Sequence, residues 1–500
     1  MRRAVQTLAV IAASVVLAAG CATATSVTVA PAPITSTVPP STPSPTGDQP
    51  ARPTIDWRPC GSRLECGTMT VPLDHSGRTE GTVMLALRRH LADPGRRVGS
   101  IVTNPGGPGV PALDLADAAP RLFPGLIDRF DIVAWDPRGV GESDAVACTD
   151  DIDAYFALDP TPDTPAEKQA LIDAAARYVA ECSRRSGRLL PFVGTADTAR
   201  DLDLIRAALG EDRLTYLGFS YGSEIGATYA TLFPTRVRAI VLDGAVDINA
   251  SYEEDTLRQY GALETSLTKV LDDCSARRSC PFWNNGAAGK AFDELMIALD
   301  RAPLTSPAGR PAVGQGIAYV AVVSGLYDAT LWPALTRALA AARKGDGGPL
   351  LAMYDAYTNH GDPAWTHTFD ANSAVNCLDD PGPLDPSFPD RFADQLVAVA
   401  PRLGRVGAYA YTCMVWPARA PKARVTAAGV AGPILLVGTT GDPITPLSAT
   451  AALAKDLERA TLLTVEADGH TGYQRNACSR RTVDSFLRDL TVPAPGTVCR

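Results

Sequence analysis

Gly218-Phe219-Ser220-Tyr221-Gly222 sets one serine between two glycines, the pattern of a hydroxyl held on a sharp strand-to-helix turn. Residues 214–217 before it read as a strand. After it, Ile225, Tyr229, Leu232 and Phe233 recur at helical spacing, with Pro234 just beyond. The glycines leave space where β-carbons would collide. A hydroxyl raised at the start of a helix can attack an acyl carbon, because the helix dipole favours the anion that develops. It is nonetheless a weak nucleophile and needs an adjacent base. The chain has five histidines. His75 and His90 lie in early segments, and His360 and His367 in the middle of the chain. His470 stands in Asp468-Gly469-His470-Thr471-Gly472, on a loop directly after the strand-like run 461–465. His470 is the expected base.

A third group should orient the imidazole and stabilise its charged form. Asp442, in Gly441-Asp442-Pro443-Ile444-Thr445-Pro446, follows the strand-like run 434–437 and is the expected acid. Asp243 ends another strand-like run and is its rival. The negative charge that builds on the attacked carbonyl needs backbone N–H donors. Tyr221, directly after the nucleophile, supplies one. The second must come from Asn104-Pro105-Gly106-Gly107-Pro108-Gly109. Proline has no N–H, so the donor is a glycine: Gly107, with Gly109 as the alternative.

These residues need a scaffold that brings strand ends together. The runs 98–104, 130–136, 214–218, 237–243, 434–438 and 461–465 are apolar, and most end in Gly, Asn or Asp. Continuous runs of this length suit strands buried on both faces of a parallel sheet. Helical patterns such as 198–209 lie between them, so the fold class is α/β. The alternation stops after Asp243 and resumes near Ile434. Residues 56–244 and 431–500 therefore form a core of 259 residues, with 245–430 as a large, mainly helical inserted cap. The order Ser220, Asp442, His470 is that of α/β-hydrolases.

The 500-residue chain has a formal charge of −9 and no basic block, which argues against nucleic-acid partners. Residues 1–20 combine Arg2 and Arg3 with an uncharged apolar run too short to span a bilayer. The run ends Leu17-Ala18-Ala19-Gly20-Cys21, which resembles a lipobox with Cys21 as the lipidated residue; a plain secretory signal is the other reading. In 22–46, 17 of 25 residues are Pro, Ser or Thr and none is charged, so 21–55 reads as an extended tether. The membrane is then reached only through the lipid anchor. Setting Cys21 aside leaves ten cysteines, enough for five disulfides in an exported protein. Local pairs are Cys60 with Cys66, Cys274 with Cys280, and Cys478 with Cys499. Cys148 with Cys182 and Cys377 with Cys413 would complete the set, although other pairings fit the same count. No Cys-x-x-Cys occurs and the histidines are scattered, so neither a metal nor a cofactor is expected.

The glycine-rich loop 104–109 resembles that of prolyl aminopeptidases, with Asn104 in place of their histidine, as in secreted tripeptidyl aminopeptidases. Trp135-Asp136-Pro137-Arg138-Gly139-Val140-Gly141-Glu142-Ser143, Gly-Phe-Ser-Tyr-Gly, Gly-Asp-Pro-Ile-Thr-Pro and Gly469-His470-Thr471 extend the match over 56–500. The chain resembles the tripeptidyl aminopeptidase branch of serine α/β-hydrolases, close to cell-envelope proteases and carboxylesterases. The resemblance implies an acyl-enzyme peptidase that takes short N-terminal peptides from peptide or protein substrates with a free N-terminus. Ester hydrolysis by the same machinery is the alternative, and a non-catalytic binding lipoprotein is a third. The resemblance also implies acidic cap groups for the substrate ammonium, with Asp379 and Asp380 as candidates beside a solvated-loop reading, and Thr445 as a further substrate contact. Asp136 and Arg138 are read as structural.

Overall fold

The computed structural model describes residues 53–363 and 366–500. Cys21, the signal-like run 1–20 and most of the tether lie outside the described residues. Each of the six apolar runs forms a strand. β4 (Gly99–Asn104), β5 (Phe130–Trp135), β6 (Leu214–Phe219), β7 (Val237–Asp243), β8 (Ile434–Gly441) and β9 (Ala460–Asp468) pair in parallel in the order β5-β4-β6-β7-β8-β9. Three further strands, β1 (Asp56–Gly61), β2 (Leu64–Pro72) and β3 (Thr82–His90), add an antiparallel edge on β5. A short β10 (Val498–Cys499) pairs in parallel with β9 at the other edge.

Helices cover both faces of this sheet. α1 (Pro165–Ser186) and α2 (Thr195–Ala208) precede β6, and α3 (Tyr221–Leu232) follows it. α1 starts on a reciprocal cap in which Thr164 accepts from the Glu167 N–H and Glu167 accepts from the Thr164 N–H. Leu202, Ile205, Ile225 and Tyr229 pack on one face of the sheet, while Leu122, Phe123, Tyr473 and Phe486 pack on the other. The chain between β7 and β8 is helical, including α4 (Tyr252–Ala276), α5 (Gln315–Leu326) and α6 (Thr368–Asp379). It has its own core, in which Leu267, Phe292, Leu339 and Phe392 are buried together. α7 (Leu447–Asp456) and α8 (Ala477–Asp489) complete the helices used below.

The segment between β5 and α2 also reaches the lid. Tyr155 and Phe156 meet lid residues Thr412, Tyr354 and Phe369, and Lys168 pairs with Asp390 at 2.6 Å. The lid is thus built from two excursions of the chain rather than from 245–430 alone. Five disulfides form: the local pairs Cys60–Cys66, Cys274–Cys280 and Cys478–Cys499, and, of the pairings left open, Cys148–Cys182 and Cys377–Cys413. Arg138 is fully buried, bonded to Asp201 and to the carbonyls of Pro72, Leu73 and Phe192. Asp136 accepts the N–H groups of Ala112 and Glu142. Both act as ties that shape the chain after β5.

Candidate active site

Ser220 occupies the single residue between β6 and α3, at φ 54° and ψ −126°. A non-glycine residue in that region costs on the order of 1–3 kcal/mol and persists only where the surroundings impose it. They do so here. The Ser220 N–H donates to the Asp243 carbonyl at 2.8 Å, and the Ser223 N–H closes back on the Ser220 carbonyl at 2.7 Å. Glycine is required on both sides. A β-carbon at Gly218 would stand 2.2 Å from the Gly222 carbonyl oxygen, and one at Gly222 would stand 2.7 Å from that of Asn104.

Asp442 and His470 come together from loops after β8 and β9. His470 Nδ1 lies 3.0 Å from both carboxylate oxygens of Asp442. Asp442 also accepts the N–H groups of Ile444, Thr445 and Thr471 and the Thr445 hydroxyl. Burial alone would push its carboxyl up. The imidazole and the converging N–H donors outweigh burial and hold it below the ordinary value. His470 Nε2 is buried without a hydrogen-bond partner among the described residues, and no hydrogen bond joins it to Ser220 Oγ. Such contacts are often long before substrate binds and tighten in the complex. The imidazole lies close to the nucleophile's support: a β-carbon on Gly244, next to the residue that holds the Ser220 N–H, would be 3.3 Å from His470 Cε1.

Asp243 does not bond the histidine. Its carboxylate accepts the N–H groups of Gly472 and Tyr473, pinning the loop that carries His470, and burial pushes it up to about 6. The lid grips the same loop. The His470 N–H donates to the Tyr327 carbonyl at 2.8 Å, and the Tyr327 ring packs edge-on against the imidazole. Arg475 pairs with Asp328 at 2.6 Å and donates to the carbonyls of His470 and Thr471. Nothing local in the sequence signals this clamp, because its partners are more than 140 residues apart.

The loop 104–109 lies against the nucleophile. A β-carbon on Gly106 would be 2.8 Å from the Tyr221 nitrogen and 2.9 Å from Ser220 Cβ. The Gly106 N–H is taken by Asn104 Oδ1 at 2.9 Å. Gly109 is pressed onto α6, where its β-carbon would meet the Thr368 carbonyl at 2.4 Å. The Gly107 N–H has no acceptor among the described residues, and Tyr221, as the first residue of α3, has its N–H outside the helical ladder. The Gly109 N–H likewise has no acceptor among the described residues, so both glycines stand as candidates for the second donor.

The residues on either side of Ser220 each line a cavity. Phe219, Tyr327 and His470 line one of about 290 Å³. Tyr221, Glu224, Asp255, Asn376, Asp379 and Asp380 line another of about 230 Å³. Asp379 accepts the Thr195 N–H and hydroxyl, and that hydroxyl in turn meets the Tyr221 hydroxyl at 2.7 Å. Burial pushes Asp379 up to about 6, against the Thr195 bonds. Asp380 is paired with Lys422 at 2.6 Å, half-exposed. Thr445, expected at the substrate, is buried with its hydroxyl donating to Asp442. Glu224 was not among the sequence candidates, although it stands one helical turn past Ser220. It has no hydrogen-bond partner among the described residues, and burial, then the charge on Asp379, pushes it up to about 8.

The family model described as alpha/beta hydrolase fold matches residues 99–476. The chain is 35% identical over 477 residues to serine protease Hip1 of Mycobacterium tuberculosis, covering 89% of this chain and 91% of that protein. It is 30% identical over 471 residues to a tripeptidyl aminopeptidase of Streptomyces coelicolor, covering 90% and 86%. It is 32% identical over 454 residues to carboxylesterase B of Mycobacterium tuberculosis, covering 87% and 86%.

Proposed function

The chain belongs to the α/β-hydrolase family as a serine hydrolase of its serine-peptidase kind, and we propose that it removes short, tripeptide-type segments from the free N-termini of peptides or proteins. Ser220 Oγ attacks the scissile carbonyl while His470 Nε2 takes its proton, and Asp442 holds the ring through Nδ1. The N–H groups of Tyr221 and of Gly107 or Gly109 receive the oxyanion. Collapse breaks the C–N bond, and His470 returns the proton to the leaving amine. Water, deprotonated by His470, then releases the peptide from Ser220.

The observation that carries the reading is the acidic cavity beside the nucleophile. Glu224 lies about 6 Å along the helix axis from Ser220, and an extended chain covers about 3.3 Å per residue. The axial offset alone spans about two extended residues, and the reach of the Glu224 side chain adds to it, so the cavity suits a short N-terminal peptide. The other cavity, on the His470 side, receives the leaving amine. Asp380 already has Lys422, so Asp379 carries the charge offered to the ammonium, while Glu224, protonated up to about pH 8, offers a carboxyl oxygen as a hydrogen-bond acceptor.

A tripeptide anilide with a free amine, its N-acetyl form and a short-chain ester test this directly. The free amine is expected to be favoured about 10- to 100-fold in kcat/KM, the range for hydrogen bonds to charged groups. Equal cleavage of the blocked form, or a preferred ester, would establish the esterase reading instead. The ratio of free to blocked rates cancels the shared base. It is expected to fall as pH drops through about 6, where Asp379 takes up a proton. Glu224→Gln should lower the ratio and stabilise the fold at pH 8. In the folded protein Glu224 keeps its proton up to about 8, but in the unfolded chain it ionises near 4.5. Folding between those values takes up a proton, so stability falls as pH rises, and glutamine removes that slope.

Export is part of the proposal. Five disulfides suit an oxidising compartment, and Cys21 is the lipidation site proposed for the outer face of the cell membrane. Labelled palmitate should follow the wild-type protein but not Cys21→Ser; labelling of both would place the lipid elsewhere.

A further inference from the structure

A third cavity, of about 160 Å³, lies wholly in the lid layer. Its walls include Tyr155, Phe156, Tyr260, Tyr319, Tyr357 and Phe369, and none of its lining residues is charged. Protein interiors are close-packed, with few voids larger than a water molecule. An empty space of this size with an aromatic lining is the shape of a ligand site. An engineered cavity of about 150 Å³ with a comparable apolar lining takes up benzene.

Three connections tie the cavity to the reacting groups. α6 borders all parts of the site: Phe369 and Ser373 line the aromatic cavity, Asn372 donates to the Pro108 carbonyl of the oxyanion loop, and Asn376 and Asp379 line the acidic cavity. Gln259 lines both cavities and donates to the Ile444 carbonyl, two residues past Asp442. Tyr357 lines the aromatic cavity and packs on Tyr327, which packs edge-on to His470. The aromatic cavity therefore shares walls with the acidic cavity and, through α6, Gln259 and Tyr357, backs onto the oxyanion loop, the loop of the acid and the histidine.

We propose that this lid cavity is the subsite for the side chain of the residue just before the scissile bond, and that it selects an apolar side chain the size of a benzene ring. The proposal rests on the peptidase reading above. Burying a phenylalanine side chain is worth about 1.5–3 kcal/mol, or about 10- to 100-fold in rate. An aspartate there would have to bury a charge with no partner.

The test uses free-amine tripeptide anilides differing only in their third residue. Wild-type protein is expected to favour phenylalanine over alanine by about tenfold or more in kcat/KM, and to reject aspartate. Val320 lies on α5 and lines the cavity. Val320→Phe fills the space and should bring kcat/KM for the phenylalanine substrate down by about tenfold, to the level of the alanine one. Benzene or indole added to wild-type protein should compete with the phenylalanine substrate and not with the alanine one, which tests the site without any substitution. No preference at the third residue in wild-type protein, or competition by benzene against both substrates alike, would overturn the proposal. The peptidase reading fails separately, if the blocked and free alanine substrates are cleaved equally.

Discussion

Ser220→Ala is expected to lower kcat on any substrate by about 10⁴- to 10⁶-fold while the protein keeps its fold. The range follows from triads in which loss of the nucleophile leaves only binding and oxyanion stabilisation. Alanine retains the β-carbon, so the backbone at φ 54° remains as strained as before and the melting temperature should hold. Ser220→Gly makes the complementary point. Glycine adopts this conformation freely, so the variant should be equally inactive but more stable by about 1 kcal/mol or more. A stabilised, dead variant would show that the strain at the turn serves the position of the hydroxyl. If Ser220→Ala retained wild-type turnover, or still reacted with a fluorophosphonate at full rate, Ser220 would not be the nucleophile.

The parts of this arrangement that were legible in the sequence share one physical feature: they are local. Strands buried on both faces, such as 237–243, are continuous apolar runs, and the parallel fold class follows from their alternation with helices. The turn at Ser220 is legible because its five-residue pattern is local, with Gly218 dictated by the Gly222 carbonyl four residues on, even though Gly222 is itself dictated by the distant Asn104. β1 and β2 carry no such signal, although β3 does in its apolar run 83–87. β2 buries only alternate residues such as Met69 and Val71, because its other face is open.

Groups whose environment comes from distant chain were the hard ones. Asp380 had the right residue type, but it lines the acidic cavity already paired with Lys422, 42 residues further on. Glu224 had a helical spacing that could have revealed it; what gives it meaning is Asp379, 155 residues later, on the far wall of the same cavity. The second excursion of the lid was hidden in the same way. Tyr155 and Phe156 look like ordinary loop aromatics until Tyr354 and Phe369 close on them.

Asp442→Asn should lower kcat by about 10⁴-fold with little change in KM. Asp442 receives five donors: His470 Nδ1–H, three backbone N–H groups and the Thr445 hydroxyl. An asparagine can keep the donors on its oxygen only by turning its NH₂ towards His470 or Thr471. Facing His470, it would force Nδ1 to accept. The ring's proton would then sit on Nε2, the atom that must take the Ser220 proton, and the base would be blocked in its ground state. The same change at Asp243 separates the two rivals. Among the described residues its carboxylate accepts the Gly472 and Tyr473 N–H groups and makes no hydrogen bond to the ring. Asp243→Asn therefore acts through the position of the loop, with an expected loss of about 10- to 100-fold, corresponding to about 1–3 kcal/mol for a disturbed buried bond. Measuring kcat for both variants decides the assignment. A larger loss at Asp243 than at Asp442 would transfer the role of the acid to Asp243 and require the loop to rearrange on substrate binding.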